Sequence, residues 1–154
     1  MDANEFKALF LRTVQNQDNP YHPLTWINGS PEIGSGTYIG GFSEINAKGA
    51  RVVIGRDCDI ASFVAINVAD SHRRCIGLAD ENECRDIVIG DCVFIGSHSA
   101  VFGGATIGDH TVIGAGTIIR AGVIPPFSLV VGNDVRPGYY RAAFEARLSQ
   151  RSQK

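Results

Sequence analysis

The sequence predicts an all-β solenoid in which the chain passes through three short strands in every coil. An aliphatic residue recurs every six positions along most of the 154 residues, and this period fits neither an α-helix nor an alternating β-strand. Eight of these residues are followed directly by glycine, which we expect to permit tight corners with positive φ. Stacked coils would place each aliphatic side chain on its counterpart in the neighbouring coil. The series is Ile27, Ile33, Ile39, Ile45, Ile54, Ile60, Ile66, Ile89, Ile95, Val101, Ile107, Ile113, Ile119, Pro125 and Val131.

A second regularity accompanies the first. Four positions after each aliphatic residue, the chain usually has a small or β-branched residue. These positions are Thr37, Ser43, Cys58, Val64, Val93, Ser99, Ala105, Thr111, Thr117 and Val123.

Length and composition indicate a single domain over residues 1–154. We expect an N-terminal helix and linker over 1–20, the solenoid over 25–136 and a C-terminal helix over 137–154. A net charge of −2 and a pI near 6.0 argue against nucleic acid or an anionic membrane as a partner. Acidic residues near the N-terminus are unlike a signal peptide, and the four cysteines lack a pairing pattern. These features predict a cytoplasmic protein.

The N-terminal helix is predicted over residues 4–15, with Asp2 or Asn4 as its N-cap. Its apolar residues recur at spacings of three and four, so they share one face. They are Phe6, Leu9, Phe10 and Val14.

Two breaks interrupt the repeat. Nine positions separate Ile45 from Ile54, so three extra residues are expected to bulge near 47–50. Twenty-three positions separate Ile66 from Ile89, and the polar stretch 67–86 between them, here called the excursion, cannot fill an inward seam. Long polar loops on rigid scaffolds often carry function.

The C-terminal helix is predicted over residues 138–150, after Pro137. An open end of a solenoid exposes unpaired strand edges, so this helix is expected to act as a cap. Its apolar residues are Tyr139, Tyr140, Phe144 and Leu148.

The second half of the repeat resembles the hexapeptide-repeat acyltransferases, above all the galactoside, maltose and xenobiotic O-acetyltransferases and the nucleotide-sugar N-acyltransferases. The resemblance spans residues 25–136. It implies a left-handed parallel β-helix with a capping helix, a homotrimer, acetyl-CoA as co-substrate, a sugar-like acceptor and no metal. The stretches that carry it are 89–91, 94–98, 104–109, 112–117, 124–126 and 131–133.

The same resemblance implies a set of catalytic and coenzyme-binding residues. His72 in the excursion would be the general base, for which an unperturbed imidazole is suited at neutral pH. Ser97 would lie beside the thioester and steady the developing oxyanion. The pantetheine arm would run along Gly96, Ser97, Gly114 and Ala115, and the coenzyme phosphates would meet Arg120 and Arg136.

The acceptor site is less constrained by the resemblance. The asparagine that holds a galactoside aligns with glycine near Gly40, so a galactoside pocket is not expected. Asp70 could orient His72, or it could be a local surface carboxylate, and Arg73 and Arg74 could meet an anionic acceptor or solvent. The expected acceptor-binding residues are Glu44, Asn67, Asp70, Arg73 and Arg74.

This sequence departs from the family at two places in its last coils. The stretch Ile119–Ile124 is interpreted as one residue longer than usual and lacks the usual lysine. Asp134 stands where proline is usual, which predicts a different terminal corner.

Three alternative functions remain open. One is a nucleotide-amino-sugar N-acetyltransferase of surface polysaccharide synthesis, and another is a non-catalytic trimeric scaffold. A metal-dependent lyase is disfavoured because His98 and His110 are expected on different faces. Cys58 and Cys92 are interpreted as packing residues, and Cys75 and Cys84 as loop thiols.

Overall fold

The computed structural model describes residues 1–14 and 20–152, which form a β-solenoid with a helix at either end. The helices are α1 (Ala3–Val14), α2 (His72–Cys75) and α3 (Arg141–Arg151). The strands are β1 (Trp26–Asn28), β2 (Glu32–Ile33), β3 (Tyr38–Ile39), β4 (Glu44–Asn46), β5 (Val52–Ile54), β6 (Asp59–Ile60), β7 (Ala65–Asn67), β8 (Ala69–Asp70), β9 (Glu83–Cys84), β10 (Ile87–Ile89), β11 (Phe94–Ile95), β12 (Ala100–Phe102), β13 (Ala105–Ile107), β14 (Val112–Ile113), β15 (Ile118–Ile119), β16 (Gly122–Ile124), β17 (Leu129–Val131) and β18 (Asp134–Arg136).

The strands stack into three parallel sheets, one for each face of the coil. Sheet A has the order β1-β4-β7-β12-β15, and sheet B has the order β2-β5-β10-β13-β16. Sheet C has the order β3-β6-β11-β14-β17, to which β18 adds as an antiparallel edge. We call the turns between them the A/B, B/C and C/A corners. Five coils with three strands each confirm the predicted solenoid.

The core is a set of aliphatic columns. In sheet C, Ile39 pairs with Ile60, Ile60 with Ile95, and Ile95 with Ile113, and all four side chains are fully buried. This register stacks aliphatic side chains of the same kind, so each coil covers the inward side chains of the next coil. A single coil would leave these side chains exposed to water.

The small residues four positions after the aliphatic residues hold adjacent coils together. The buried hydroxyl of Thr37 donates to the Gly55 carbonyl at 2.7 Å and accepts from the Cys58 N–H at 3.0 Å. Ser43 makes the corresponding bond to the Ala61 carbonyl at 3.0 Å. Each buried hydroxyl is therefore satisfied, which removes the cost of burying it.

The expectation that glycine after each aliphatic residue supplies positive φ is wrong at most of these positions. Of the eight, Gly132 has a positive φ, of 58°. The others meet the next coil closely: a Cβ on Gly34 would lie 2.6 Å from the Arg56 nitrogen, and one on Gly108 would lie 2.5 Å from the Pro126 nitrogen. Close backbone approach between coils therefore explains the glycine.

The predicted series is wrong in the last coil. Ile124 pairs with Ile107 and Val130 with Ile113, so these two fill the seam in place of Pro125 and Val131. Five positions separate Ile119 from Ile124, so this step is one residue shorter than the six-residue period. Gly122, with a φ of 143°, accommodates the tighter corner.

This shift changes the surface as well. Val123, the last residue of the small or β-branched series, is 76% exposed, and Val131 is 53% exposed. Gly122 pairs with Ala105 in place of Val123, and Ser128, at the following corner, is fully buried. After Val131 the chain turns back through Gly132 and Asn133 into β18, which pairs antiparallel with β17.

Both predicted breaks are confirmed. A five-residue connection, 47–51, joins β4 to β5, and the chain leaves the solenoid after Asn67 and returns at Ile87. Within the excursion, β8 pairs with β9 in antiparallel fashion and flanks the short helix α2. A Cβ on Gly49 would lie 2.8 Å from the Cys84 sulfur, so the excursion packs closely against the bulge.

Helix α1 begins at Ala3 with Asp2 as its N-cap. The Asp2 carboxylate accepts from the N–H groups of Asn4 and Glu5, each at 2.8 Å. Phe6 and Phe10 lie on one face, as predicted, but are 57% and 45% exposed. The side chain of Val14 and residue 15 lie outside the described part of the chain.

Helix α3 begins at Arg141, three residues later than predicted, because Gly138 has a φ of 68° and interrupts the helical backbone. Phe144 contacts His110 and Phe127 at the B/C corner, with ring centroids 4.5 and 5.2 Å apart. Across residues 1–14 and 20–152, no helix has the length and apolar character needed to span a membrane.

Candidate active site

His72 and Asp70 form a close pair in the excursion. His72 Nδ1 lies 2.6 Å from Asp70 Oδ1, and the backbone N–H of His72 donates to the same oxygen at 3.0 Å. These two contacts, the backbone one first, lower the pKa of Asp70, so its carboxylate is ionised at neutral pH. When Nδ1 donates to Asp70, Nε2 carries the lone pair and can accept a proton.

The pair borders a groove of about 660 Å³ at the A/B corner. The excursion forms one wall, and the ends of β12 and β15 form the other. Its lining includes Asp70, His72, Cys75, Arg85, Phe102 and Arg120.

Gly103 holds the excursion against the solenoid. A Cβ at this position would lie 2.7 Å from the Val68 carbonyl oxygen and 2.9 Å from that of Arg85. Since any side chain would push both ends of the excursion away, Gly103 helps to position His72 over the groove. Nothing in the repeat pattern distinguished this glycine.

Arg85 also lines the groove and escaped the sequence analysis. It is the penultimate residue of the excursion and belongs to no recognisable motif. Arg120, predicted to meet coenzyme phosphates, lies in the same groove as His72.

The residues predicted to hold the pantetheine arm form one column at the C/A corner. Gly116 donates its N–H to the Ser97 carbonyl at 2.9 Å, so the two predicted pairs lie on adjacent coils. A Cβ on Gly96 would lie 2.5 Å from the Ala115 nitrogen. The column therefore consists of Gly96, Ser97, Gly114 and Ala115, and sheet A separates it from the His72 groove within one chain.

Two predicted acceptor residues lie on the outer face of sheet A. Glu44 accepts a hydrogen bond from the Asn28 side chain at 3.2 Å. Asn67 accepts from the Asn46 amide at 3.0 Å and from the Ala69 N–H at 2.9 Å. Asn67 thus directs the chain out of β7 into the excursion.

The remaining predicted arginines lie elsewhere. Arg73 and Arg74 are exposed on α2 and are absent from the groove lining formed by the described residues. Arg74 donates to the Asn82 side chain at 2.7 Å and braces the excursion. Arg136 pairs with Asp134 at 2.6 Å on β18.

His98 and His110 occupy different corners, as predicted. His98 stacks on Phe63 at the C/A corner, with ring centroids 4.8 Å apart. His110 stacks on Phe127 at the B/C corner, also at 4.8 Å. Within residues 1–14 and 20–152, no three His, Cys, Asp or Glu side chains group closely enough to hold a metal ion.

The two cysteines interpreted as packing residues differ in burial. Cys58 is buried, and burial raises the pKa of its thiol, which agrees with a packing role. Cys92 is exposed and has a φ of 56°, so its interpretation as a packing residue is wrong. The repeat places Cys92 at an outward corner position.

Comparisons with known proteins agree with the repeat. A family model described as bacterial transferase hexapeptide (six repeats) matches residues 86–121. The Staphylococcus aureus protein named "Putative acetyltransferase SACOL2570" is 51% identical over 47 residues, which are 30% of this chain and 23% of that protein. The matched segment thus spans about a quarter of that relative.

Solved structures extend the similarity to most of the chain. NeuO, a polySia-specific acetyltransferase, has a TM-score of 0.59 and 30% identity, over 69% of this chain and 50% of NeuO. The hexapeptide-repeat acetyltransferase VCA0836 of Vibrio cholerae has a TM-score of 0.58 and 27% identity, over 88% and 79% of the two chains. Its complex with acetyl coenzyme A has a TM-score of 0.51 and 25% identity. The chain therefore carries a hexapeptide repeat and resembles the hexapeptide-repeat acetyltransferases.

Proposed function

We propose that this protein is an acetyl-CoA-dependent acetyltransferase that acts on a hydroxyl or amine of a sugar or sugar-like acceptor. The observation that carries the proposal is the His72–Asp70 pair, held over a groove on a hexapeptide-repeat solenoid. Similarity to VCA0836, which was crystallised with acetyl-CoA, supports the co-substrate. Similarity to NeuO supports a saccharide acceptor. We place the activity in the cytoplasm.

In the proposed mechanism, His72 Nε2 accepts the proton of the acceptor hydroxyl while the acceptor oxygen bonds to the thioester carbonyl carbon. Asp70 orients the imidazole and stabilises the imidazolium. Ser97 donates a hydrogen bond to the oxyanion. When the carbon–sulfur bond breaks, the imidazolium returns its proton to the leaving thiolate. Transfer is direct, and proximity supplies much of the acceleration.

The coenzyme is proposed to lie along the C/A corner. Small side chains at Gly96, Ser97, Gly114 and Ala115 leave the backbone open to the pantetheine arm. Arg136 lies on β18 at the C-terminal end of the solenoid, opposite Leu129. Its guanidinium suits a phosphate once it exchanges Asp134 for that ligand. The pair with Asp134 is exposed, so exchange costs little.

The proposed assembly is a homotrimer. In one chain, sheet A lies between the His72 groove and the small-residue column, so the base and the thioester would not meet. A second subunit that presents its C/A corner to the first subunit's A/B corner would bring them together. Exposed apolar side chains on the outer strands supply surface for such contacts, among them Phe94, Ile118 and Val123.

The test is turnover with a panel of sugar acceptors, followed by free-thiol detection of released coenzyme A. Replacement of His72 by Ala should lower kcat by about 10²–10⁴-fold with a hydroxyl acceptor. The dissociation constant for acetyl-CoA should not change. Glu81→Ala, an exposed substitution in the same excursion, is the matched control.

Each other outcome points to a different function. A loss below about 10-fold in folded His72→Ala protein would contradict the base assignment and favour amine acetylation, since an amine can lose its proton to water before it attacks. Acetyl-CoA binding with no turnover of any acceptor would favour the non-catalytic scaffold.

A further inference from the structure

We infer that the acceptor carries an anionic group, a carboxylate or a phosphate, which Arg85 and Arg120 bind inside the His72 groove. The inference rests on the proposed function, because it takes His72 to mark where the acceptor binds. Both arginines line the groove together with His72. Nothing in the sequence placed them together, since they lie 35 positions apart.

Their convergence follows from the stacking of the last coils. A Cβ on Gly104 would lie 2.9 Å from the Ala121 side chain and 3.7 Å from Arg85 Cδ. The stem of Arg85 therefore runs along the A/B corner, beside the coil that carries Arg120 and Ala121. Two guanidinium groups from separate parts of the chain thus border one groove.

The groove has more positive than negative charge available to a ligand. Its lining holds two arginines against one carboxylate, that of Asp70. Oδ1 of that carboxylate already accepts from both the backbone and the ring of His72. An anion entering the groove would therefore meet net positive charge, since Glu83, which pairs with Arg85, is not among the lining residues.

Neither of the two arginines is held in a strong ion pair. Arg85 Nε lies 3.4 Å from Glu83 Oε1, and both side chains are half exposed, so this pair contributes little. Arg120 makes no hydrogen bond or ion pair with another residue in the described part of the chain. Arg51 and Arg56, in contrast, each bind a carboxylate at 2.8 Å.

The anion belongs to the acceptor for a geometric reason. The base must touch the acceptor, and Arg85 and Arg120 share the base's own groove. In the proposed trimer a second subunit brings the pantetheine arm and the thioester to this groove, while the coenzyme phosphates are assigned to Arg136. Phe102 offers an apolar wall in the groove, suited to the face of a sugar ring. The planar fork of arginine matches both carboxylate and phosphate oxygens.

The test uses acceptors matched in pairs: methyl glucoside against methyl glucuronide, and glucose against glucose 6-phosphate. The value of kcat/KM should be at least about 10-fold higher for the anionic member of one pair, and which pair responds separates carboxylate from phosphate. Arg85→Ala and Arg120→Ala should each raise KM for that acceptor by about 10- to 100-fold. Lysine at either position should restore part of the loss, and Arg56→Ala is the control.

The outcomes separate this inference from the proposed function. Turnover of neutral acceptors as fast as anionic ones, or a raised KM for acetyl-CoA in the two arginine variants, would overturn the inference while acetyl transfer stands. If no acceptor turned over, the proposed function would fail. Calorimetric titration of His72→Ala protein with methyl glucuronide and glucose 6-phosphate would then decide the inference, and absence of binding would overturn it.

Discussion

At the scale of single residues, the corners of the solenoid carry strain that stacking offsets. Phe42, Phe63 and His98 all have φ near 60° at the C/A corner, a conformation that bulky residues rarely adopt. The same backbone repeats in successive coils, so their rings stack, Phe42 on Phe63 at 5.1 Å and Phe63 on His98 at 4.8 Å. Ring stacking and coil-to-coil hydrogen bonds offset the cost at these positions.

Asp70 provides a residue-scale prediction. Asp70→Asn removes the carboxylate that holds the His72 ring, so we expect kcat to fall about 10-fold, less than for His72→Ala. The KM for acetyl-CoA should not change, because the proposed coenzyme column lies at the C/A corner.

A merely structural role for Asp70 would leave kcat in place and raise the KM for the acceptor, because a loosened excursion would weaken the groove. Asp80→Asn, a carboxylate of the same excursion outside the groove lining, is the control and should match the parent protein. An Asp70→Asn variant with parental kcat would contradict the positioning role.

At the scale of elements, strands of two or three residues cannot form alone, and neighbouring coils determine them. Helix α3 is a similar case. None of its 11 residues is buried, and a helix of that length is marginal in water without tertiary contacts. Phe144 against His110 and Phe127, with Arg141 over the Phe127 ring at 4.6 Å, holds it at the B/C corner.

Phe144→Ala should therefore release α3 and leave the solenoid intact. Amide hydrogen exchange over residues 141–151 should become at least about 10-fold faster, while exchange in β11 and β14 stays unchanged. Leu148→Ala, on the same helix and 48% exposed, should have little effect. Equal exchange rates in the two variants would show that the ring cluster does not anchor the helix.

At the scale of the whole molecule, the proposed site is complete only between subunits. Three chains of 16.5 kDa give about 50 kDa, and light scattering at micromolar concentration should report that mass. A stable monomer would contradict the assembly.

Mixing subunits of two inactive variants tests whether the site lies between subunits. His72→Ala lacks the base, and Ala115→Trp should block the coenzyme column of the other corner. Each homotrimer should be inactive, and co-refolded mixtures should regain activity, because some interfaces then pair an intact groove with an intact column. No recovery in mixtures of the correct mass would place the site within one chain.

Much of this architecture could be predicted from the sequence. The six-residue period identifies the face of the coil on which each aliphatic residue lies, because the repeat of the backbone and that of the side chains coincide. The two breaks identify the bulge and the excursion for the same reason. The spacing of Asp70 and His72 also made their contact a candidate, since residues two apart can meet in a tight turn.

Only the tertiary structure decided which distant groups meet. The one-residue shortening after Ile119 places Ile124 and Val130 at the inward positions. Their packing against Ile107 and Ile113, and not the local sequence pattern, determines this arrangement. It also decided that Arg85 and Arg120 share the groove of His72, whereas Ser97 lies at another corner. Contacts between such distant residues depend on how the coils stack. The six-residue repeat indicates where a residue lies within its coil, but it does not indicate the path that the excursion follows outside the solenoid.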